Sequence, residues 1–290
     1  MRLGVISVRT ENYHPNRRLA QAARARGLGL EIIHPYRAWC ALRGGRPGLL
    51  AAPEPPPVIL PRVGSTISPY TLALLRHLEL MGARLVNRPG AIELACHKYL
   101  CLQALAAAGL PVADTCLVNR PEAWDLAVAR LGGYPLVAKL PQGRQGRGVA
   151  LVAGPEEAAL ARAMWLKQRR GILLQRYLPP GGRRDLRVLV VGGHAAAGME
   201  LTPGPGEFRA NLHLGGRPRA YTPGPGAARL AAAAAAAVGL EVAGVDLMGP
   251  AGGELMVMEV NFTPGFKGLE EASGLDVAGI LVDYALARAG

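Results

Sequence analysis

The alternation of short apolar strands with helices in the first 92 residues most constrains the fold. The strand-like runs lie at residues 2–8, 30–34 and 58–60, and the helical patterns lie at 15–26 and 69–81. Ser68, followed by Pro69, is typical of the start of a helix. Strand–helix–strand order predicts parallel strands joined by right-handed crossovers. We therefore expect residues 1–92 to form an open parallel-sheet α/β domain.

The remainder of the chain has a different pattern. One long helical segment is predicted from Pro89 to Gly109. Strands at 136–140 and 149–152 are separated only by a glycine-rich loop, which predicts a hairpin, and strands dominate after residue 173. Pro223, after a capping Thr222, is predicted to open an Ala-rich helix.

Composition favours a cytoplasmic protein that does not enter a membrane. Half of the 290 residues are hydrophobic, but no segment reaches the roughly 20 apolar residues that a membrane helix needs. The first apolar run ends at once in Arg9 and Glu11, so no export signal is expected. Four scattered cysteines show no metal-type spacing and suit a reducing compartment.

The net charge of +12 does not by itself indicate a nucleic-acid partner. The basic residues are nearly all arginines, scattered along a chain that is also rich in Ala, Gly and Pro, as a compositional bias would produce. Aromatic residues for base stacking make up only 5% of the chain. We therefore expect no nucleic-acid partner.

Two neighbouring apolar strands carry polar residues of the kind that bind metals. Glu259 and Asn261 are two residues apart in one strand, so they share a face, and Asp246 lies in the strand before. If the strands pair, these residues offer three oxygen ligands to a hard cation such as Mg²⁺. The alternative is a solvated hairpin face.

The loop from Gly143 to Gly148 lies between two strands, which excludes a dinucleotide site or a P-loop, because both precede a helix. Its glycines allow backbone N–H groups to approach an anion closely, and Lys139 adds a cation on the preceding strand. A surface hairpin with incidental arginines is the alternative.

Further polar residues are ambiguous when taken one at a time. Asp185 could meet a ribose and Arg187 a phosphate, or the two could form a surface ion pair. The segment 208–216 combines Arg209, Asn211 and His213 with two glycines, which suits anion binding in a loop.

Taken in order, these motifs resemble the ATP-grasp superfamily, and within it the RimK-type α-L-glutamate ligases. The series that carries the resemblance is Lys98, Lys139 with loop 143–148, Gln175–Tyr177, Asp185, Arg187, Arg209-Ala210-Asn211, Asp246 and Glu259-Val260-Asn261. Pro61-Arg62-Val63-Gly64 and residues 276–279 also match, so the resemblance covers nearly the whole chain.

The resemblance implies an ATP-grasp fold of α/β (α+β) class. A pre-ATP-grasp domain (1–92) would precede an ATP-grasp domain (93–290), whose central subdomain (about 104–173) and C-terminal subdomain (about 174–290) enclose ATP. The ATP-binding residues that it implies are Lys98, Lys139, Gly143, Gln145, Gly146, Gly148, Gln175, Arg176, Tyr177, Asp185, Arg187, Arg209 and Asn211.

The implied chemistry is carboxylate–amine ligation. Asp246, Glu259 and Asn261 would hold two Mg²⁺ or Mn²⁺ ions, and Arg209 and Asn211 would act in catalysis. A carboxylate would attack the γ-phosphate of ATP, and an amine would then displace phosphate from the acyl phosphate. The expected substrates are glutamate or another amino acid and a peptide, protein tail or small carboxylated acceptor. A homo-oligomer is also expected.

Three departures from the family pattern fall near the expected substrate pocket. The family usually has arginines near Gly198-Met199-Glu200-Leu201, an acidic residue at Lys267 and Glu at Arg176. A noncatalytic, ATP-binding relative with a regulatory role is therefore the alternative function. A nucleic-acid-binding protein is a third hypothesis, which rests on charge alone.

Overall fold

The computed structural model describes residues 2–50, 54–64, 67–144, 147–166 and 171–289, without the side chains of Arg144, Arg147 and His213. The strands are β1 (Arg2–Ile6), β2 (Gly29–Ile33), β3 (Cys40–Arg43), β4 (Arg46–Leu49), β5 (Val58–Pro61), β6 (Arg84–Leu85), β7 (Thr115–Val118), β8 (Leu136–Arg144), β9 (Arg147–Val152), β10 (Ile172–Arg176), β11 (Arg183–Val191), β12 (His194–Thr202), β13 (Arg217–Ala220), β14 (Val242–Pro250) and β15 (Met256–Asn261). The helices are α1 (His14–Ala25), α2 (Pro69–Leu80), α3 (Pro89–Ala95), α4 (Lys98–Ala107), α5 (Pro121–Arg130), α6 (Pro155–Trp165), α7 (Pro225–Val238), α8 (Lys267–Ser273) and α9 (Val277–Ala287).

The first sheet is parallel, with strand order β2-β1-β5-β6, as the alternating pattern predicts. Helix α1 packs on one face through Leu19, and α2 packs on the other through Leu74 and Leu75. Ser68 caps α2 by accepting a hydrogen bond from the backbone N–H of Thr71 at 3.2 Å. The hairpin β3–β4 was not predicted from the sequence.

The long helix predicted from Pro89 to Gly109 is wrong, because the chain breaks between α3 and α4. His97 leaves the helical conformation and caps α4, with Nδ1 accepting a hydrogen bond from the N–H of Leu100 at 3.3 Å. The break makes Lys98 the first residue of α4. The side chain of Lys98 therefore projects from the first turn of α4 toward β15. A continuous helix would not fix Lys98 at a helix start.

The second sheet is antiparallel, with order β7-β10-β8-β9 and one face covered by α5 and α6. Strand β10 pairs on both sides within this sheet. Residues 172–176 therefore belong to the second sheet. The division into domains stays a prediction.

The third sheet has order β13-β12-β11-β14-β15 and apolar packing on both faces. One face packs on α4 and α7. The other contributes Leu189, Met199 and Leu201 to a core shared with α8, α9 and the first sheet. Helix α7 begins at Pro225 rather than at Pro223, because Gly224 is extended and residues 221–224 lie outside any helix.

Within the described residues, no helix is long and apolar enough to cross a membrane.

Candidate active site

The two carboxylate strands pair, and their pairing brings the predicted metal ligands together. Asp246 of β14 lies opposite Glu259 of β15, and Gly244 lies opposite Asn261. The Asn261 amide Nδ2 donates to Asp246 Oδ2 at 3.2 Å. All three polar side chains therefore occupy one face of the third sheet. Another part of that face is covered by the apolar core.

Each carboxylate has a cationic partner. Lys98 Nζ lies 2.9 Å from Glu259 Oε1. Arg187 on the adjacent strand β11 forms a bidentate ion pair with Asp246. Its Nε donates to Oδ1 at 2.6 Å, and its Nη2 donates to Oδ2 at 2.8 Å. Lys98 and Arg187, both predicted to contact ATP, thus lie beside the candidate metal residues.

These contacts set the charge states. Burial alone would raise the pKa of Glu259, but Lys98, with Lys139 and Arg187 behind it, outweighs burial and lowers that pKa. Glu259 raises the pKa of Lys98, and Asp246 raises the pKa of Arg187. These shifts favour the charged forms of Glu259, Lys98 and Arg187 at neutral pH.

Lys139 differs from the other cations because nothing pairs with it in the described part of the chain. It projects from β8, which is flanked by β9 and β10. Burial lowers its pKa to about 8, against the opposing attraction of Glu259. A half-buried lysine without a counter-ion is suited to an anionic ligand such as a phosphate.

The glycine-rich loop is part of the β8–β9 hairpin, with the ladder interrupted between Lys139 and Arg144. Gly148 has φ +75°, and a Cβ there would lie 2.8 Å from Leu140 Cδ1. Gly143 is exposed near the tip. Gln145 and Gly146, also predicted to contact ATP, lie outside the described residues.

The predicted adenine segment ends β10. Gln175 is buried, donates through Nε2 to Thr115 Oγ1 at 2.8 Å, and leaves Oε1 without a partner in the described structure. Arg176 is exposed. The ring of Tyr177 meets that of Phe208 edge to face at 6.1 Å, which joins the second sheet to the segment before Arg209.

Asp185, predicted to bind ribose, forms an ion pair with Arg183 instead of standing free. It is buried, and Arg183 Nε donates to its Oδ2 at 2.8 Å. Burial raises the pKa of Asp185 despite this arginine. Arg183 also donates to the carbonyl oxygens of Leu178 and Phe208, so it ties β11 to two loops. The sequence reasoning missed Arg183.

Arg209 is oriented by a residue that the sequence reasoning also missed. Glu207 accepts from Arg209 Nε at 2.8 Å and from Nη2 at 2.6 Å. Hydrogen bonds from Arg209 lower the pKa of Glu207 to about 2. The signal in the sequence was the opposite charges of Glu207 and Arg209, which are two residues apart.

Asn211 organises the loop that follows. Its carbonyl oxygen accepts from the N–H groups of Leu214 and Gly216, both at 2.9 Å. A Cβ on Gly216 would lie 2.8 Å from that oxygen, so this position requires glycine.

The departures from the family pattern have structural partners. Gly198 is in close contact with Tyr221, whose carbonyl oxygen would lie 2.7 Å from a Cβ at this position. Met199 and Leu201 are core residues. Glu200 forms ion pairs with Arg184 and Arg219.

Asn87 is a further residue that the sequence did not reveal. Its buried amide contacts the backbone at the start of β14 and after the end of β15. No group of at least three His, Cys, Asp or Glu suited to a metal occurs among the described residues. The candidate ligand set has only two carboxylates, and the third ligand is an amide.

Two family models and a series of curated relatives match the sequence. The sequence model of the RimK pre-ATP-grasp domain matches residues 1–92, and that of the RimK-like ATP-grasp domain matches residues 95–285. A probable alpha-L-glutamate ligase 1 from Pseudoalteromonas atlantica is 35% identical over 287 residues, which cover 98% of this chain and 94% of the relative.

Solved structures show the same fold. The RimK domain ATP-grasp protein of Sphaerobacter thermophilus superposes with a TM-score of 0.76 at 26% identity, covering 98% of this chain and 99% of that one. The ATP-grasp ligase PsnB, complexed with a phosphomimetic variant of its minimal precursor, Mg and ADP, gives a TM-score of 0.75 at 20% identity, covering 99% and 98%.

The predicted resemblance, the ATP-grasp fold and the assignment as an ATP-grasp ligase are confirmed by these matches. The chain belongs to the RimK-like ATP-grasp family.

Proposed function

We propose that the chain is an ATP- and Mg²⁺-dependent carboxylate–amine ligase that adds glutamate or another amino acid to a peptide, protein tail or small acceptor. The observation that carries the proposal is the cross-strand pair of Asp246 and Glu259 with Asn261 beside it. Lys98, Lys139 and Arg187 surround this pair with positive charge. Oxygen ligands next to cations suit a metal-bound polyphosphate.

The donor set fits Mg²⁺ or Mn²⁺. Carboxylate and amide oxygens are the hard ligands that these ions take, and rotation of the Asn261 amide would present its oxygen instead of Nδ2. Asp246, Glu259 and Asn261 would hold two such ions, which neutralise phosphate charge when bound. Lys98 and Arg187 then have phosphate oxygens as alternative partners.

The reaction needs positioning more than covalent chemistry from the protein. A substrate carboxylate oxygen bonds to the γ-phosphorus as the bond to ADP breaks, giving an acyl phosphate. The amine nitrogen then bonds to the acyl carbon, inorganic phosphate leaves, and the amine loses a proton. Lys139 and Arg209 supply fixed positive charge, and the β8–β9 hairpin limits the access of water.

A screen for ADP release tests the proposal. Purified protein is given ATP, Mg²⁺ and a panel of carboxylates with amino acids, and a parallel series uses hydroxylamine to trap acyl phosphate as hydroxamate. Absence of both ADP and hydroxamate across the panel would contradict a ligase. Glu259→Gln should lose at least about 100-fold in turnover while remaining folded, and Glu254→Gln, at an exposed loop position, is the matched control.

One observation favours the alternative of a nucleotide-binding relative without turnover. Glu207 neutralises Arg209, the arginine assigned to phosphate and catalysis. In that case ATP would bind tightly, yet no acyl phosphate would form with any carboxylate. Calorimetry with ATP alongside the ADP screen separates the two functions.

A further inference from the structure

Arg62 lies where the first domain meets the turn that follows β15. It comes directly after β5, and Nη2 donates to the carbonyl oxygen of Pro264 at 2.8 Å. Its guanidinium lies 5.4 Å from the centroid of the Phe266 ring. Since Pro264 is three residues beyond Asn261, Arg62 stands next to the segment that leaves the candidate metal site.

This guanidinium has no counter-ion in the described part of the chain. Its Nε is buried and lacks a hydrogen-bond partner. Burial lowers the pKa of Arg62 to about 10, and no carboxylate opposes that effect. A half-buried cation whose buried Nε donor is unused is costly to keep, and an anionic ligand would satisfy both the charge and the donor.

His14 leaves a second buried polar atom unused beside the same aromatic ring. Its Nδ1 has no partner among the described residues, and its ring centroid lies 6.0 Å from that of Phe266. Burial lowers the pKa of His14, so the ring is neutral at pH 7. With the proton on Nε2, Nδ1 can accept a hydrogen bond from an amine.

Topology explains why both residues lie near Phe266. Strands β1 and β5 are parallel neighbours, with Ile6 opposite Pro61. His14 and Arg62 both follow the carboxyl ends of these strands, which is the edge where open α/β sheets bind ligands.

The surrounding charge favours an anion. Arg17, Arg18 and Lys267 all act on His14 with positive charge. Glu270, the nearby carboxylate, is occupied by Arg18, whose Nε donates to it at 3.0 Å. The surroundings of Phe266 therefore have an excess of cations.

We propose that Arg62 binds the α-carboxylate of the amino acid that supplies the amine, an inference that rests on the proposed ligase function. The carboxylate that is phosphorylated belongs at Asp246 and Glu259, whereas Arg62 lies beyond the turn at Pro264. Because Nε is buried, we expect a small ligand such as a free amino acid rather than a protein tail. His14 Nδ1 is the acceptor for its amine.

The test compares Arg62→Gln and Arg62→Lys with the wild-type full chain, and uses Arg88→Gln as a control at an exposed arginine. L-Glutamate is varied at saturating ATP, Mg²⁺ and acceptor. Arg62→Gln should raise the KM for L-glutamate about 30-fold or more, with the KM for ATP unchanged, because a hydrogen-bonded charge pair is lost. Arg62→Lys should have a KM for L-glutamate between those of the wild type and Arg62→Gln.

Hydroxylamine supplies a nucleophile that has no carboxylate. Hydroxamate formation should therefore be equal in the wild type and Arg62→Gln, which a merely structural role of Arg62 would not allow. The wild type should also prefer L-glutamate over its α-amide, and Arg62→Gln should lose that preference.

An unchanged KM for L-glutamate, or hydroxamate formation that falls in parallel with ligation, would overturn the assignment. If the wild type forms neither ADP nor hydroxamate, the ligase function itself fails. Calorimetry with L-glutamate then tests the assignment of Arg62. L-Glutamate binding to the wild type that Arg62→Gln abolishes supports the assignment. Equal binding to both proteins, or no binding to the wild type, overturns it.

Discussion

Asn87 holds Val242 through both ends of its side-chain amide. Oδ1 accepts the N–H of Val242 at 2.8 Å, and Nδ2 donates to the carbonyl oxygen of Val242 at 2.7 Å. The same two atoms bind the N–H of Glu241 at 2.8 Å and the carbonyl oxygen of Phe262 at 3.0 Å. One side chain from the first domain thus fixes the start of β14 and the residue after β15, the two strands that carry the candidate metal ligands.

Replacing Asn87 by Ala should lower the free energy of unfolding by about 2–4 kcal/mol, because backbone groups at Glu241, Val242 and Phe262 would stay buried without partners. Urea denaturation followed by circular dichroism measures the change. Asn12→Ala, at an exposed turn position, should change it by less than about 0.5 kcal/mol. Equal effects of the two substitutions would show that Asn87 does not join the two domains.

The sequence was sufficient for features with local causes. The alternation of strands and helices predicts the first sheet, the Ser68–Pro69 start predicts α2, and the spacing of Glu259 and Asn261 predicts a shared face. Each depends on the backbone geometry of a few consecutive residues.

The missed contacts join residues that are distant in sequence. Arg187 meets Asp246 only because β11 lies next to β14, an order of strands that no local pattern specifies. The contacts of Asn87 with Val242 and of Arg62 with Pro264 likewise depend on how the domains pack. The break before Lys98 is local, but a histidine cap is too rare a signal to predict it.

Replacing Arg187 tests its ion pair with Asp246. Arg187→Met should lower the free energy of unfolding by about 1–3 kcal/mol, because Asp246 loses a bidentate partner in a partly buried site. The double variant Arg187→Met/Asp246→Leu should recover part of this loss, since no charge is left unpaired. Chemical denaturation of the three variants forms the cycle. A double variant as unstable as the sum of the two singles would mean that the residues act independently.

The β8–β9 hairpin depends on Gly148 for space as well as for conformation. Gly148→Ala would place Cβ 2.8 Å from Leu140 Cδ1 and 3.0 Å from its Cγ, at φ +75°. Gly252 has the same φ of +75° but open space around it, so Gly252→Ala isolates the conformational cost. That cost should be about 1 kcal/mol.

Gly148→Ala should be more destabilising than Gly252→Ala and should also raise the KM for ATP, because the hairpin can no longer adopt its conformation. Adding Leu140→Ala should restore part of the lost affinity for ATP by removing the clash. The KM for ATP and the denaturation midpoint measure both effects. An unchanged KM for ATP in Gly148→Ala would separate the hairpin from nucleotide binding.

Lys139 makes ATP binding depend on pH. Burial lowers its pKa to about 8, below the ordinary value of 10.5, so the nucleotide-free protein loses this charge as the pH rises through 8. Bound phosphate favours the protonated form. ATP affinity should therefore be constant below pH 7 and weaken above pH 8, by up to about tenfold per pH unit.

The stability of the nucleotide-free protein should change in the opposite sense. Between pH 8 and the unfolded-state pKa of about 10.4, the unfolded chain binds more protons at Lys139 than the folded chain does, so this residue contributes stability that rises with pH. Lys139→Met should remove both trends. The difference between the wild type and Lys139→Met, in calorimetric ATP affinity and in urea denaturation from pH 7 to 10, isolates this lysine from the other titrating groups. Parallel pH curves for the two proteins would place Lys139 outside the nucleotide site.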